Sequence, residues 1–268
     1  MTMKTFDINR FKLTMMWVLG LQRKEMINYF FVCFFIFMAI FGVNYINGTA
    51  FKNAEMGASA FISIFFVMVM ICGSWVCSNM KTKQQKIMFK MLPATNIEKF
   101  MARYLYVTLG FMIIPFAAFC AADVARMLLD LILGYGAGES GVVVLMRDIF
   151  TQNFIHVGKE PDYSLPLFRT MIIVFMIWAH SSYLLGGVIF RRRQFVLTSL
   201  VHFALSFLFA LGISNVGEHK IDDFRPASAN VAMGFMTAVF AALTVMDYCL
   251  AYILFKRMQV INNRMLNI

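Results

Sequence analysis

The sequence predicts an all-α, polytopic integral membrane protein with six transmembrane helices and both termini in the cytoplasm. Composition is the first observation behind this. Hydrophobic residues make up 60% of the 268 positions and charged residues 14%, where a soluble domain carries about 25% charged. Mean hydropathy is +0.72. The second observation is a set of six apolar runs, at residues 26–46, 57–78, 104–122, 167–190, 195–213 and 231–255. Each matches the hydrocarbon thickness when wound as a helix. None alternates as a barrel strand would, and backbone groups in lipid must bond internally, so helix is the reading. The third observation is the placing of Lys and Arg. With the N-terminus inside, 17 fall on inner segments and 7 on outer ones, the bias that sets orientation.

In chain order, residues 1–25 form a basic leader carrying Arg10, Lys12, Arg23 and Lys24. These charges break any early apolar core, so no cleaved signal peptide is expected. Phe11, Met15, Trp17, Val18 and Leu21 are interleaved with them. Two readings stay open: an interfacial helix, or a basic, partly helical leader.

The inner loop 79–103 reads as two short helices with a break. Residues 81–92 carry Ile87, Met88, Phe89, Met91 and Leu92 after a basic, Gln-containing start. Pro93 ends this helix, because proline lacks an amide hydrogen and restricts its predecessor. Thr95 then sits three residues before Glu98, the spacing of a capping box. The helix it starts would run through Lys99 and Arg103 into the third span. Such an elbow can pass force from a cytoplasmic partner to a membrane helix; an ordinary loop against the headgroups is the alternative.

Pro115 lies within the third span and predicts a kink. Beyond it, Asp123, Arg126 and Asp130 share one helical face at a spacing of three and four and can pair. We expect a solvated, salt-bridged outer turn. The outer segment 123–166 also holds the flexible run Gly134-Tyr135-Gly136-Ala137-Gly138 and a short interfacial helix over 142–156, which together could form a small outer cap. Asn47-Gly48-Thr49 is a weak sequon match. Arg191-Arg192-Arg193-Gln194 joins the fourth and fifth spans as a tight basic turn, and residues 256–268 form a cytoplasmic tail.

Inside the spans, ionisable groups are few. Asp247, His202 and His180 lie at similar depth on three different helices, about 14 Å of helix or more from the inner ends. Each belongs to a narrow polar face: Thr237, Thr244, Asp247 and Ala251; Ser199, His202 and Ser206; His180, Tyr183 and Gly187. A carboxylate here costs about 3 kcal/mol unless paired. We expect these faces to meet, with Asp247 neutralised or hydrogen-bonded by His202 or His180. The cluster reads either as helix glue or as a proton or substrate site.

Other chemistry is absent from the sequence. Cys33, Cys72, Cys77, Cys120 and Cys249 all fall in apolar runs without CxxC spacing, so neither disulfides nor a metal site is expected. The 23 Met and 30 Phe read as packing filler. There is no G-x-x-x-x-G-K-[ST] loop and no HExxH helix. His180-Ser181-Ser182 is no catalytic triad, because adjacent helical residues point about 100° apart. An enzyme is not expected. The net charge of +10 is the collar of a membrane protein facing anionic headgroups, with no nucleic-acid module beside it.

The stretch from Lys81 to Tyr104, KTKQQKIMFKMLPATNIEKFMARY, resembles the loop between the second and third spans of bacterial type-2 ABC exporter permeases. In that family a polar or basic start, an apolar turn, Leu-Pro and a small or hydroxyl residue precede the third helix. The layout of basic leader, six spans and a short basic turn between spans four and five is similar too. The resemblance implies a permease subunit in a bacterial cytoplasmic membrane, paired with itself or a relative. It would bind no cofactor itself; a separate ATPase subunit would hold ATP and dock around residues 83–93. Met88, Phe89, Leu92 and Pro93 are then the docking residues, with Lys83, Lys86 and Lys90 steering. The chain departs from some members in having a short polar segment, 214–230, between spans five and six. A stand-alone ion-coupled carrier and a non-transporting membrane scaffold are the other two readings.

Overall fold

The computed structural model describes residues 6–48, 53–78, 80, 82–134, 136, 138–150, 164–190, 193–217 and 226–258. Every regular element among them is a helix. They are α1 (Ile8–Ile46), α2 (Asn53–Cys72) with a 3-10 turn at Gly73–Trp75, α3 (Lys83–Met91), α4 (Asn96–Ile132), α5 (Gly141–Phe150), α6 (Leu165–Ile189), α7 (Gln194–Gly217) and α8 (Pro226–Arg257). Five helical segments, in α1, α2 with its 3-10 turn, α4, α6 and α8, are long and apolar enough to cross a bilayer, as a multi-pass membrane protein requires. In α7 the described apolar stretch is Gln194–Leu208. Arg191, Arg192, Thr49, residues 151–163 and the tail beyond Met258 lie outside the described residues, as do the acidic residues 218, 222 and 223.

The elements differ from the sequence reading in identifiable ways. The leader and the first span are one 39-residue helix, α1. Its start is fixed by Asp7, whose carboxylate accepts the amide of Asn9 at 2.8 Å, an N-cap contact that satisfies an otherwise orphan donor. The third span likewise belongs to a 37-residue helix, α4, that passes through Pro115. Of the interfacial helix expected over 142–156, the described part is α5.

The described residues divide into two compact units. The first draws on Met1–Met15, Met70–Val107 and Val157–Ile268, the second on Met16–Val69 and Thr108–His156.

In the first unit α6 packs against α8 most extensively, then against the 3-10 turn and α7. Two glycines allow the approach to the turn. A Cβ on Gly73 would stand 2.6 Å from the His180 carbonyl oxygen, and one on Gly187 2.7 Å from the Ser74 carbonyl oxygen. Between lipid-embedded helices there is no hydrophobic gain, so close backbone contact through small residues supplies the attraction. Aromatic side chains complete the α6–α8 contact: Phe240 stacks on Trp178 with centroids 5.0 Å apart and meets Phe175 edge-on at 5.3 Å. Arg193, in the turn before α7, has a φ of 51°, a left-handed conformation that costs a non-glycine residue about 1 kcal/mol.

The second unit is centred on phenylalanine. Phe37, Phe41, Phe61 and Phe119 are all buried. Phe61 stacks on Phe119 at 4.9 Å, and Phe37 meets Phe119 edge-on at 5.2 Å, the offset and perpendicular geometries that aromatic quadrupoles prefer. Large apolar side chains also point outward along the helices, among them Phe31, Phe35, Leu200, Phe203 and Phe235. Lipid contact suits such surfaces.

Candidate functional site: the inner elbow and the polar cluster

The elbow between α3 and α4 lies in the first unit and is built by two successive capping boxes. At the first, Thr82 Oγ1 accepts the Gln85 amide at 3.2 Å, and Gln85 Oε1 accepts the Thr82 amide at 3.1 Å. This starts α3. The Thr-x-x-Gln spacing was available in the sequence but was missed there. Leu92 closes α3 with a ψ of 134°, the extended conformation required ahead of Pro93. At the second box, Thr95 Oγ1 accepts the Glu98 amide at 3.3 Å, and Glu98 Oε2 accepts the Thr95 amide at 2.8 Å. This starts α4, as the sequence predicts.

Glu98 does more than cap. Its Oε1 also accepts the Asp7 amide at 2.8 Å and the Arg10 guanidinium at 3.1 Å. The carboxylate is fully buried, and three donors hold its charge. The start of α1 is thereby tied to the start of α4.

The candidate docking residues divide into two faces of α3. Phe89 is buried, with Phe255 edge-on at 6.0 Å and the Arg103 guanidinium over its ring at 5.0 Å. Its ring therefore anchors the elbow and does not face a partner. Lys86 is also buried, and Leu92 is half-buried. Exposed are Lys83, Met88, Lys90, Pro93 and, in addition, Ile87 and Met91. Met91, at 77%, is the most exposed apolar side chain of α3. The error in placing Phe89 has a plain cause: on a nine-residue helix any apolar residue lies within a turn of either face, and tertiary packing decides.

Lys90 Nζ donates to the Met258 carbonyl oxygen, and Lys99 Nζ donates to the Lys90 carbonyl oxygen at 2.8 Å. The end of α3, the start of α4 and the end of α8 are so joined.

The polar residues His180, His202 and Asp247 occupy the helix contacts of the same unit. Asp247 Oδ2 lies 3.3 Å from the donor Ser181 Oγ. His180 Nδ1 is 3.5 Å from Cys72 Sγ, and the His180 ring packs against Tyr104 and Tyr248 at 6.0 and 6.4 Å. His202 Nε2 is 2.8 Å from Ser182 Oγ, its Nδ1 is 2.9 Å from the Thr198 carbonyl oxygen, and its ring stacks on Tyr183 at 4.9 Å. The Tyr183 and Ser199 hydroxyls are 3.0 Å apart. The serines 181 and 182, which the sequence reading weighed only as triad members, are the groups that link α6 to α8 and α7. Thr237 and Thr244 instead donate to carbonyls one turn back, at 2.7 and 2.8 Å.

The second unit holds a different polar centre. Arg126 donates to Asp123 Oδ1 from Nε at 3.0 Å and from Nη2 at 2.9 Å, to Asp130 Oδ2 at 2.7 Å and to the Glu139 carbonyl oxygen at 2.9 Å. Asp123 Oδ2 accepts from Ser140 Oγ at 2.6 Å and the Val142 amide at 3.2 Å, and Tyr45 donates to Asp130. The pairing expected from the spacing is present. The solvation is not: all three charged residues are at most 3% exposed. The segment around Ser140 folds back over α4 and removes them from water.

No group of three or more metal-ligating side chains occurs among the described residues. Comparisons with protein-family models, with curated proteins and with solved structures return no match.

Proposed function

We propose that the chain is the membrane-spanning permease subunit of a bacterial ABC-type exporter, set in the cytoplasmic membrane with six spans and both ends inside. A separate subunit hydrolyses ATP, and the chain pairs with a copy of itself or a relative. It is not itself an enzyme and holds no cofactor.

One observation carries this reading. α3 is a short helix capped at its start, stopped by proline, locked to α4 and α8 through Phe89, Lys90 and Lys99, and left with Ile87, Met88 and Met91 exposed. A lever of this kind fits force transmission: its inner face is fixed to membrane helices, while its outer face offers apolar anchors to a partner. Lys83 beside them suits electrostatic steering. The five apolar helices support the membrane placement. The sixth span would be α7, and the Lys and Arg bias supports the orientation.

Co-purification in mild detergent tests the proposal. The expected result is recovery of an ATP-binding subunit with the wild-type chain and its loss with Met88→Asp and Met91→Asp, while folding is kept because both side chains are exposed. Recovery of no ATPase from cells expressing the chain at native level contradicts it.

A further inference from the structure

Two neighbouring serines of α6 each stand between a backbone carbonyl and an ionisable side chain of another helix. Ser182 Oγ is 2.9 Å from the Ala179 carbonyl oxygen and 2.8 Å from His202 Nε2 on α7. Ser181 Oγ is 2.7 Å from the Trp178 carbonyl oxygen and 3.3 Å from Asp247 Oδ2 on α8. Donation to a carbonyl one turn back is ordinary for helical hydroxyls, and Thr237 and Thr244 do the same. The second, ionisable partner sets the two serines apart. A hydroxyl carries one hydrogen and two lone pairs, so each serine can donate to its carbonyl or to its ionisable partner, not to both at once.

His202 Nδ1 is 2.9 Å from the Thr198 carbonyl oxygen. A carbonyl only accepts, so Nδ1 carries a hydrogen in every state of the ring. Nε2 then decides the charge. When bare, it accepts the Ser182 hydroxyl hydrogen and the ring is neutral. When protonated, it donates to Ser182 Oγ, and the hydroxyl hydrogen turns to the Ala179 carbonyl. Asp247 is served in the same way: its carboxylate accepts from Ser181, and its neutral acid donates to Ser181 Oγ while the hydroxyl hydrogen stays with the Trp178 carbonyl. One heavy-atom frame therefore satisfies both forms of both groups.

The surroundings suit a charged imidazole. The Tyr183 ring lies parallel to it at 4.9 Å and 4°, and an aromatic face attracts a cation. Asp247, 6% exposed, stands on α8 and interacts with His202 electrostatically. Tyr183 on α6 and Asp247 on α8 are thus the titratable groups facing His202 among the described residues. The 3-10 turn, which also packs on α7, holds Gly73, Ser74 and Trp75, none of them titratable. Around Asp247 itself, Tyr248 is a further electrostatic neighbour, and the His180 ring packs on Tyr248 at 6.4 Å.

We propose that His202 and Asp247 form a reversible proton-binding site joining α7 and α8 through α6, the ligand being a proton taken up on His202 Nε2. Uptake adds the proton to the Nε2 lone pair and rotates one serine hydroxyl; no other bond changes and nothing is oxidised or reduced. With the proton bound, opposite charges stand on α7 and α8, and the helices attract. Without it, that attraction is lost. No ATPase partner is needed for this site.

The test uses the full-length chain with isotope-labelled histidine in phosphatidylcholine nanodiscs. NMR reads the two ring nitrogens of His202, assigned through the α7 backbone, as pH is varied. The expected result is an Nδ1 that stays protonated throughout and an Nε2 that passes reversibly from bare to protonated as pH falls. At a fixed pH within that step, Asp247→Asn should lower the ratio of charged to neutral His202 by about threefold or more, because the opposite charge is gone. Glu139→Gln, at an exposed carboxylate of the second unit, should leave the ratio unchanged. Should Asp247→Asn fail to fold, the wild-type spectra decide alone. A neutral ring protonated on Nε2 overturns the proposal, as does an Nε2 that keeps one state wherever the chain stays folded. A folded Asp247→Asn chain that matches Glu139→Gln also overturns it.

Discussion

The guanidinium of Arg103 lies over the ring of Phe89, 5.0 Å from its centroid. The contact joins the second turn of α4 to the inner face of α3. A cation over an aromatic face contributes about 1–2 kcal/mol when desolvated, and both groups are nearly inaccessible. It follows that Phe89→Ala should destabilise the protein by about 3–5 kcal/mol, the range for losing a buried phenylalanine, whereas Met91→Ala should change stability by less than about 0.5 kcal/mol. Thermal unfolding in detergent checks this pair; similar losses for both would mean α3 is not anchored through Phe89.

Glu98 should be the most sensitive capping residue. Glu98→Ala removes the acceptor for two backbone amides and for Arg10, and should cost about 3 kcal/mol or more. Thr95→Ala removes one capping bond and should cost about 1 kcal/mol. Thr82→Ala, at an exposed cap, should cost no more than that. Chemical unfolding curves for the three variants give the order.

The Arg126 centre should behave as a buried triad. Arg126→Ala strands two buried carboxylates and should cost about 3–5 kcal/mol. Arg126→Met combined with Asp123→Asn and Asp130→Asn should recover much of the loss, since neutral groups need no buried counter-charge. A triple variant no more stable than Arg126→Ala would argue against compensation within the triad.

Close backbone contact predicts a contrast between glycines. Gly187→Ala should lower the unfolding midpoint, because the new methyl group meets the Ser74 carbonyl oxygen at 2.7 Å. Gly42→Ala, where nothing lies within 4 Å, should raise stability by about 1 kcal/mol through helix propensity alone.

Much of this was legible in the sequence, because it rested on spacing within single elements. Thr95 and Glu98 stand three residues apart, and both capping bonds are present. Asp123, Arg126 and Asp130 stand on one helical face, and they pair. Contacts between elements far apart in sequence were not legible. Phe89 turned inward because Phe255 and Arg103 meet it there, and no local pattern marks that. The burial of Arg126 depends on Ser140, fourteen residues further along. Ser181 and Ser182 gained their role from Asp247 and His202 on other helices. The continuity of α1 was obscured by Arg23 and Lys24, whose charges suggested a boundary although no proline interrupts the helix.

A photo-crosslinking residue in place of Met91, in intact cells with the chain at native level, tests the central claim most directly. The account predicts one dominant crosslinked partner, identified by mass spectrometry as an ATP-binding subunit with a G-x-x-x-x-G-K-[ST] loop, and no crosslink from a probe at buried Phe89. Crosslinking of Met91 only to lipid or to proteins of the outer side would contradict it.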